Sequence, residues 1–199
     1  MKKVIVMSVR PEWLAKILNG EKTVEIRTRV PKDFVGEIHL ACTKGKPYLY
    51  NFAKLDYGLS NEIINQPFHT ILNGKVVAKV DYNYKNVERI SYDTIEDYAG
   101  DMEDVCIKEI AYERIVNNAC LDYEQMSKYS KCKPLFAITL KNLVAFNKPI
   151  ELGKYYIDTT LGESTKIFSV TKPNDIYHHM VKPLTRCPQS YQFAYVEKE

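Results

Sequence analysis

The sequence predicts an α+β fold built on a small, closed, mixed β-barrel of five to seven strands, with short helices and a helical insertion. Apolar segments with strand character occur at both the start and the end of the chain, and short helical patterns separate the strands between them. The 15 Tyr and 7 Phe residues favour half-buried strands. A length of 199 residues predicts a single domain over residues 1–199, with the insertion at about residues 93–132.

The first elements are well marked. Residues 4–9 form an apolar, β-branched run that is typical of a buried strand. Pro11 suits the first turn of a helix because it lacks the N–H group that would be left unpaired there. Gly20 is expected to end this helix, since glycine adopts a positive φ without steric cost. The apolar face of the predicted helix contains Trp13, Leu14, Ile17 and Leu18.

A charged strand is predicted over residues 23–30. Side chains alternate along a strand, so Val24, Ile26 and Val30 face one side and Thr23, Glu25, Arg27 and Arg29 face the other. Lys22 lies where the strand begins. This group of ionic side chains could pair with itself, or it could meet a ligand that carries phosphate or base edges.

The later elements are predicted from alternation, length and turn residues. Asp122 is placed to cap the second of the helices after the charged strand. Further strands are predicted over residues 37–43, 75–84, 134–146, 165–170 and 189–196. Further helices are predicted over residues 93–118, 122–129 and 174–180.

Three short segments resemble one known family. Ser-Val-Arg-Pro-Glu at residues 8–12 precedes Gly20, Lys22, Glu25 and Arg27 in the pattern G-x-K-x-x-E-x-R. Pro-Gln-Ser-Tyr at residues 188–191 and the strand entry at residues 131–138 complete the set. Together they resemble ASCH domains of the bacterial and phage type, which belong to the PUA-like group of β-barrels. The resemblance implies that fold, and a cleft beside the motif that binds RNA or a nucleotide.

The candidate binding residues are those that could contact phosphate or the edge of a base. An arginine presents a planar fork to phosphate, a carboxylate accepts from a base amine, and amide or hydroxyl groups read base edges. Each also has a structural interpretation, as an internal ion pair, a surface charge or a turn. Tyr48 or Tyr191 could stack on a base. The candidates are Arg10, Lys22, Glu25, Arg27, Gln189 and Ser190.

A small hydrolase is the alternative function. Lys22 could act as an amine whose pKa is lowered by burial, and Glu25 as a base, in a ribonuclease or in an amidohydrolase of acylated nucleosides. Related amidohydrolases use a threonine three residues after the lysine, and that position is Glu25 in this chain. The departure weakens the amidohydrolase alternative.

Charge and composition bear on partners and location. Residues 1–50 carry 10 Lys or Arg against 5 Asp or Glu, whereas residues 93–124 carry 2 against 10. The basic part suits an anionic ligand, and the acidic insertion could dock a host protein if the chain is a phage or mobile-element product. Five widely spaced cysteines favour the cytoplasm, and no run reaches membrane-spanning length. No cofactor motif occurs, and adjacent His178 and His179 lack metal-ligand spacing, so no cofactor or metal is predicted.

Overall fold

The structure is a computed structural model that describes residues 1–51, 70–91, 106–158, 166–172 and 175–197. Three α-helices lie within these ranges: α1 (Pro11–Leu18), α2 (Cys106–Asn118) and α3 (Tyr123–Ser130). As predicted, a proline begins α1 and Gly20, with φ of 78°, follows its end. Asp122 caps α3 in a reciprocal capping box with Gln125.

Thirteen strands lie in the described ranges. The first seven are β1 (Lys2–Val9), β2 (Val24–Arg27), β3 (Val35–Cys42), β4 (Tyr50–Asn51), β5 (Thr70–Ile71), β6 (Lys75–Asn83) and β7 (Val87–Ile90). The others are β8 (Leu135–Thr139), β9 (Lys141–Glu151), β10 (Tyr156–Asp158), β11 (Lys166–Lys172), β12 (Asp175–Pro183) and β13 (Tyr191–Val196).

These strands form an α+β fold in separate sheets. The large sheet has eight strands in the order β11-β12-β10-β13-β1-β3-β6-β9. A second sheet has the order β2-β8-β7, and β4 pairs with β5 in a small third sheet. Within the large sheet β1 runs parallel to β3 and antiparallel to β13.

The prediction of a closed barrel of five to seven strands is wrong for the residues that the structure describes. Their hydrogen-bonded ladders leave β11 and β9 at the two edges of the large sheet, and the charged strand β2 lies in a different sheet. The reason is that β1 already has a partner on each side, β3 and β13, so that β2 has no free edge of β1 to join.

Three predicted elements also differ from the structure. The charged strand expected over residues 23–30 is the shorter β2, which ends at Arg27. The single strand expected over residues 134–146 is divided at Leu140, whose N–H donates to the carbonyl of Thr23 at 2.9 Å. The part before Leu140 belongs to the second sheet and the part after it to the large sheet. The helix expected over residues 174–180 is strand β12, which pairs with β11 from Asp175 to Val181. Long-range pairing therefore overrides the local pattern.

Strand β1 is the centre of the core. Its residues from Val4 to Val9 are all buried, and their side chains alternate between two clusters. Ile5, Met7 and Val9 pack with α1, whereas Val4 and Val6 pack with Tyr155 and its neighbours. Burial on both faces explains why this strand is a continuous apolar run instead of an alternating one.

Helices α2 and α3 cover the second sheet. Val24 and Ile26 of β2 share a buried cluster with Ile115 and Val116 of α2 and with Met126 of α3. The part of the predicted insertion that the structure describes therefore contributes to a hydrophobic core, while residues 93–105 lie outside the described ranges. Among the described helices, none is both long enough and apolar enough to cross a membrane.

Candidate ligand-binding cleft

Three ionic side chains of the G-x-K-x-x-E-x-R segment form one buried cluster. Glu25 and Arg27 project from the same face of β2, and Nη2 of Arg27 lies 2.8 Å from Oε1 of Glu25. Nζ of Lys22 lies 3.4 Å from Oε2 of the same carboxylate. Each of the three residues is at most 8% exposed. The internal ion pair that the sequence allowed is therefore formed, with Glu25 shared between two cations.

The Lys22 ammonium is held away from bulk water. It donates a hydrogen bond to the carbonyl of Ala119, at the end of α2, over 2.7 Å. It also lies 5.6 Å from the centroid of the Trp13 ring, within the range of a cation–π contact. Burial lowers the pKa of Lys22, and the negative charge of Glu25 opposes that shift.

Arg27 connects the two main sheets. Its Nη2 donates to the backbone carbonyl of Ser8 on β1 as well as to Glu25. Its Nε is buried and has no hydrogen-bond partner among the described residues. Because β2 has no backbone ladder with β1, this side chain supplies the polar link between them.

The cluster forms part of the wall of an open cleft of about 610 Å³. The cleft lies between the end of β1, helix α1, strand β2 and helix α3. Five of the six predicted binding residues line it: Arg10, Lys22, Glu25, Arg27 and Gln189. The Arg10 side chain is 76% exposed and only loosely paired with Glu12, at 3.9 Å. Arg10 is thus an exposed charge at the rim, whereas Lys22 and Arg27 are buried in the wall.

The Pro-Gln-Ser turn is attached to the end of β1. The Ser8 hydroxyl donates to the carbonyl of Pro188 at 2.6 Å, and the Ser8 N–H donates to the carbonyl of Ser190 at 3.1 Å. These bonds bring Gln189 to the cleft. Ser190, the sixth predicted residue, is outside the cleft wall that the described residues form, and its carbonyl fixes the turn.

Several lining residues were not predicted from the sequence. Trp13 was assigned only to the apolar face of α1, yet it also lines the cleft. Gln125, Lys128 and Tyr129 reach the cleft from α3, at a distance of about 100 positions in the chain from the motif. Their i, i+3 and i, i+4 spacing on one helical face was the available signal. The remaining lining residues are Ser8, Val9, Glu12, Ile26, Thr43 and Leu121.

The two tyrosines that were considered for base stacking lie elsewhere. Tyr191 packs edge-to-face with Phe193 at the side of the main core. Tyr48 is 49% exposed and is absent from the cleft wall within the described part of the chain. The aromatic side chains that do line the cleft are Trp13 and Tyr129.

Comparison with known proteins finds likeness only among solved structures. No protein-family model and no curated protein matches the chain. The crystal structure of ASCH from Zymomonas mobilis is similar, with 18% identity, a TM-score of 0.46, and coverage of 75% of this chain and 73% of that one. Crystal structures of two mutants of the same protein give 19% identity and the same TM-score. The match covers 76% of this chain and 77% of the chain of one mutant, and 75% of this chain and 74% of the chain of the other.

These likenesses are to the family that the sequence motifs resemble. At such low identity and TM-score they concern part of the fold alone. The function of this chain therefore has to be inferred from its own side chains.

Proposed function

We propose that the cleft binds single-stranded RNA or a nucleotide. The observation that carries the proposal is the convergence, in one cleft, of a fixed ionic cluster, exposed cations and two aromatic rings. Four cationic side chains line the cleft against two acidic ones. The buried group of Lys22, Glu25 and Arg27 holds one positive charge in excess, and Arg10, Lys128 and Glu12 together hold the other near the rim. An anionic backbone is favoured at such a rim.

The aromatic and amide side chains suit an unpaired base. Tyr129, which is 42% exposed, offers a ring on which a base can stack, and Trp13 adds an aromatic side chain to the same wall. Gln189 offers a donor and an acceptor for the edge of a base, and Gln125, whose Oε1 accepts from the Asp122 N–H, offers its amide donor. A base in a duplex exposes neither its face nor most of its edge, so this arrangement favours a single strand or a free nucleotide.

The size of the cleft agrees with such a ligand. About 610 Å³ lies within the usual range for sites that hold a small molecule. We expect a nucleotide to occupy the cleft itself, with flanking phosphates near Arg10 and Lys128. The buried Lys22–Glu25–Arg27 cluster then acts as a rigid wall that positions the rim.

Trp13 provides the direct test, because it is the single tryptophan of the chain. Titration with short single-stranded RNA should quench Trp13 emission in a saturable way at low salt, and the affinity should fall steeply as salt increases. The same titration in the Arg10→Glu, Lys128→Glu double variant should require much more RNA. Saturable RNA binding with unchanged Trp13 emission, or an absence of binding at low salt, would contradict the proposal.

Hydrolysis is a second candidate, and one observation favours it. Lys22 has a lowered pKa inside a cleft, a combination that occurs often at catalytic sites. Against a role of Glu25 as base, its two oxygens already contact two cations. Turnover of labelled RNA or of acetylated cytidine, lost in a folded Lys22→Met variant, would establish an enzyme. RNA that binds and remains intact would leave a binding protein.

A further inference from the structure

A second cavity lies at the opposite end of β1 from the cleft. It has a volume of about 630 Å³ and includes Lys2, the first residue of β1, whereas the cleft includes Ser8 and Val9 at the end of that strand. A strand rises about 3.3 Å per residue, so the two sites are about 20 Å apart. None of the residues that line the second cavity lines the first.

Glu37 and His39, which line this cavity, belong to a chain of polar groups that continues to the buried Tyr155 behind the wall. The Tyr155 hydroxyl lies 2.8 Å from Nδ1 of His39, and Nε2 of His39 lies 3.0 Å from Oε2 of Glu37. His39 is 5% exposed, and both of its ring nitrogens are occupied. The imidazole is therefore fixed in position, with the carboxylate of Glu37 at one end and a phenol at the other.

Burial lowers the pKa of His39, although its hydrogen bond to the Glu37 carboxylate opposes the shift. The imidazole is thus neutral at pH 7 and adds no charge to the cavity. The neutral ring donates one proton and accepts another, which matches the carboxylate at Nε2 and the phenol at Nδ1.

The charged groups of the cavity leave a cationic excess. Oε1 of Glu37 contacts Nζ of Lys2 at 2.6 Å and Nζ of Lys79 at 3.5 Å, so one carboxylate serves two ammonium groups. Lys154 also lines the cavity, and no acidic group among the described residues is within ion-pair distance of it. Glu197 is the second acidic residue in the wall, against three lysines.

The remaining wall is apolar and partly aromatic. The ring of Phe146 lies 5.6 Å from that of His39, and Tyr156 continues the same surface. Ile150 and Val196 complete the apolar lining. A cavity with apolar, partly aromatic walls and a cationic edge suits a ligand that has a flat apolar body and an anionic group.

We propose that this second cavity binds a small organic anion, whose flat apolar body packs against Phe146 and Tyr156 and whose carboxylate or phosphate group contacts Lys154 and Lys79. Glu37 holds Lys2 and Lys79 in place, and the fixed His39 forms part of the wall. This site is separate from the RNA-binding cleft and does not depend on its function.

Three probes that share one ring test the proposal: benzoate, phenyl phosphate and the neutral benzamide. Amide shifts in NMR spectra of the full chain should move saturably with the two anions around Phe146, Lys154 and Tyr156, and much less with benzamide. A higher affinity for benzoate would assign the site to carboxylates, and a higher affinity for phenyl phosphate would assign it to phosphates. Equal binding of benzamide, or no saturable shift with either anion, would overturn the proposal.

Lys154→Glu is the matched variant, because Lys154 is exposed and its replacement leaves the core intact. It should weaken binding of the anions about tenfold or more, since an attraction becomes a repulsion. Lys85→Glu, an equal charge change at an exposed position outside the cavity, should leave their affinity unchanged. Equal affinity in the Lys154→Glu and Lys85→Glu proteins would show that the cationic edge does not bind the anion.

Discussion

At the scale of single residues, Glu25 determines whether the charged cluster can be buried. Two cations share its carboxylate, and each also donates to a backbone carbonyl, Lys22 to that of Ala119 and Arg27 to that of Ser8. Burial of an uncompensated charge is costly, whereas a paired and hydrogen-bonded charge is tolerated. The cluster should therefore behave as one unit in mutational experiments.

Glu25→Gln should destabilise the protein by about 3–5 kcal/mol, because it leaves Lys22 and Arg27 as uncompensated buried cations. Unfolding in urea, followed by circular dichroism, measures this change. Glu12→Gln, at the exposed rim of the same cleft, should stay within about 0.5 kcal/mol of the parent protein. A Glu25→Gln protein as stable as the Glu12→Gln protein would contradict the account of the cluster.

Glu37 should make the free energy of unfolding depend on pH in the acidic range. Desolvation works against its ionisation, but hydrogen bonds from Lys2 and His39 and the charges of Lys2 and Lys79 lower the pKa of Glu37 from 4.5 to about 2. As the pH falls, Glu37 takes up a proton in the unfolded chain before it does so in the folded protein. The stabilisation that ionised Glu37 gives the folded protein is therefore complete above about pH 4.5 and is lost between pH 4.5 and about pH 2. It amounts to at most about 3 kcal/mol.

Glu37→Gln should therefore flatten the loss of stability between about pH 4.5 and 2, as measured by urea unfolding across that range. Glu151→Gln is the control, since its side chain is 66% exposed and its ion pair with Lys75 contributes little. An equally steep loss of stability with falling pH in the Glu37→Gln and parent proteins would show that folding does not lower the pKa of this carboxylate.

Much of the candidate cleft could be predicted at this scale. The alternation of a strand places Glu25 and Arg27 side by side, and the turn before it places Lys22 next to them. What the sequence did not indicate is their burial, which depends on Ala119 and Ser8 from distant segments. For that reason charge reversal at Lys22 or Arg27 would test stability, and the exposed Arg10 and Lys128 are better probes of binding.

At the scale of elements, the two helices of the acidic insertion have a structural role. α2 and α3 pack against the sheet β2-β8-β7, and the carbonyl of Ala119, directly after α2, accepts the hydrogen bond from Lys22. The same α3 contributes Lys128 and Tyr129 to the cleft. These helices therefore both stabilise the charged strand and complete the site. Docking of a protein partner on their acidic surface remains a prediction.

Met126→Ala tests this role, because Met126 lies on the buried side of α3 and is fully buried. The substitution should cost about 2–5 kcal/mol through lost burial and the cavity that it leaves. Glu124→Ala, on the exposed side of the same helix, should change the free energy of unfolding by less than about 0.5 kcal/mol. Similar stability of the Met126→Ala and Glu124→Ala proteins, from urea unfolding, would mean that α3 is an appendage.

The elements that the sequence predicted correctly are those with local signals. α1 has its proline and its following glycine, α3 has its capping box, and β1 has its continuous apolar run. The division of residues 134–146 at Leu140 and the pairing of β12 with β11 have no local signal, because both depend on partners elsewhere in the chain. The same limit explains the incorrect barrel, since period-two alternation does not specify which edges meet.

At the scale of the whole molecule, the cleft is assembled from three separate parts of the chain. The motif and α1 come from the first 30 residues, α3 from the middle, and Gln189 from the turn before the last strand. Ser8 joins the first and last of these parts through the carbonyls of Pro188 and Ser190. The second cavity lies at the other end of β1, so each site can be altered without changing residues of the other.

The most direct test of the central claim is the affinity of a fluorescently labelled single-stranded RNA, measured by anisotropy at several salt concentrations. Arg10→Glu with Lys128→Glu should weaken binding by about tenfold or more and reduce the dependence of affinity on salt, because two phosphate contacts are lost. Lys85→Glu with Lys148→Glu, an equal charge change at exposed positions outside the cleft, should bind nearly as the parent protein does. Equal affinities for the two double variants would contradict an RNA-binding role for the cleft.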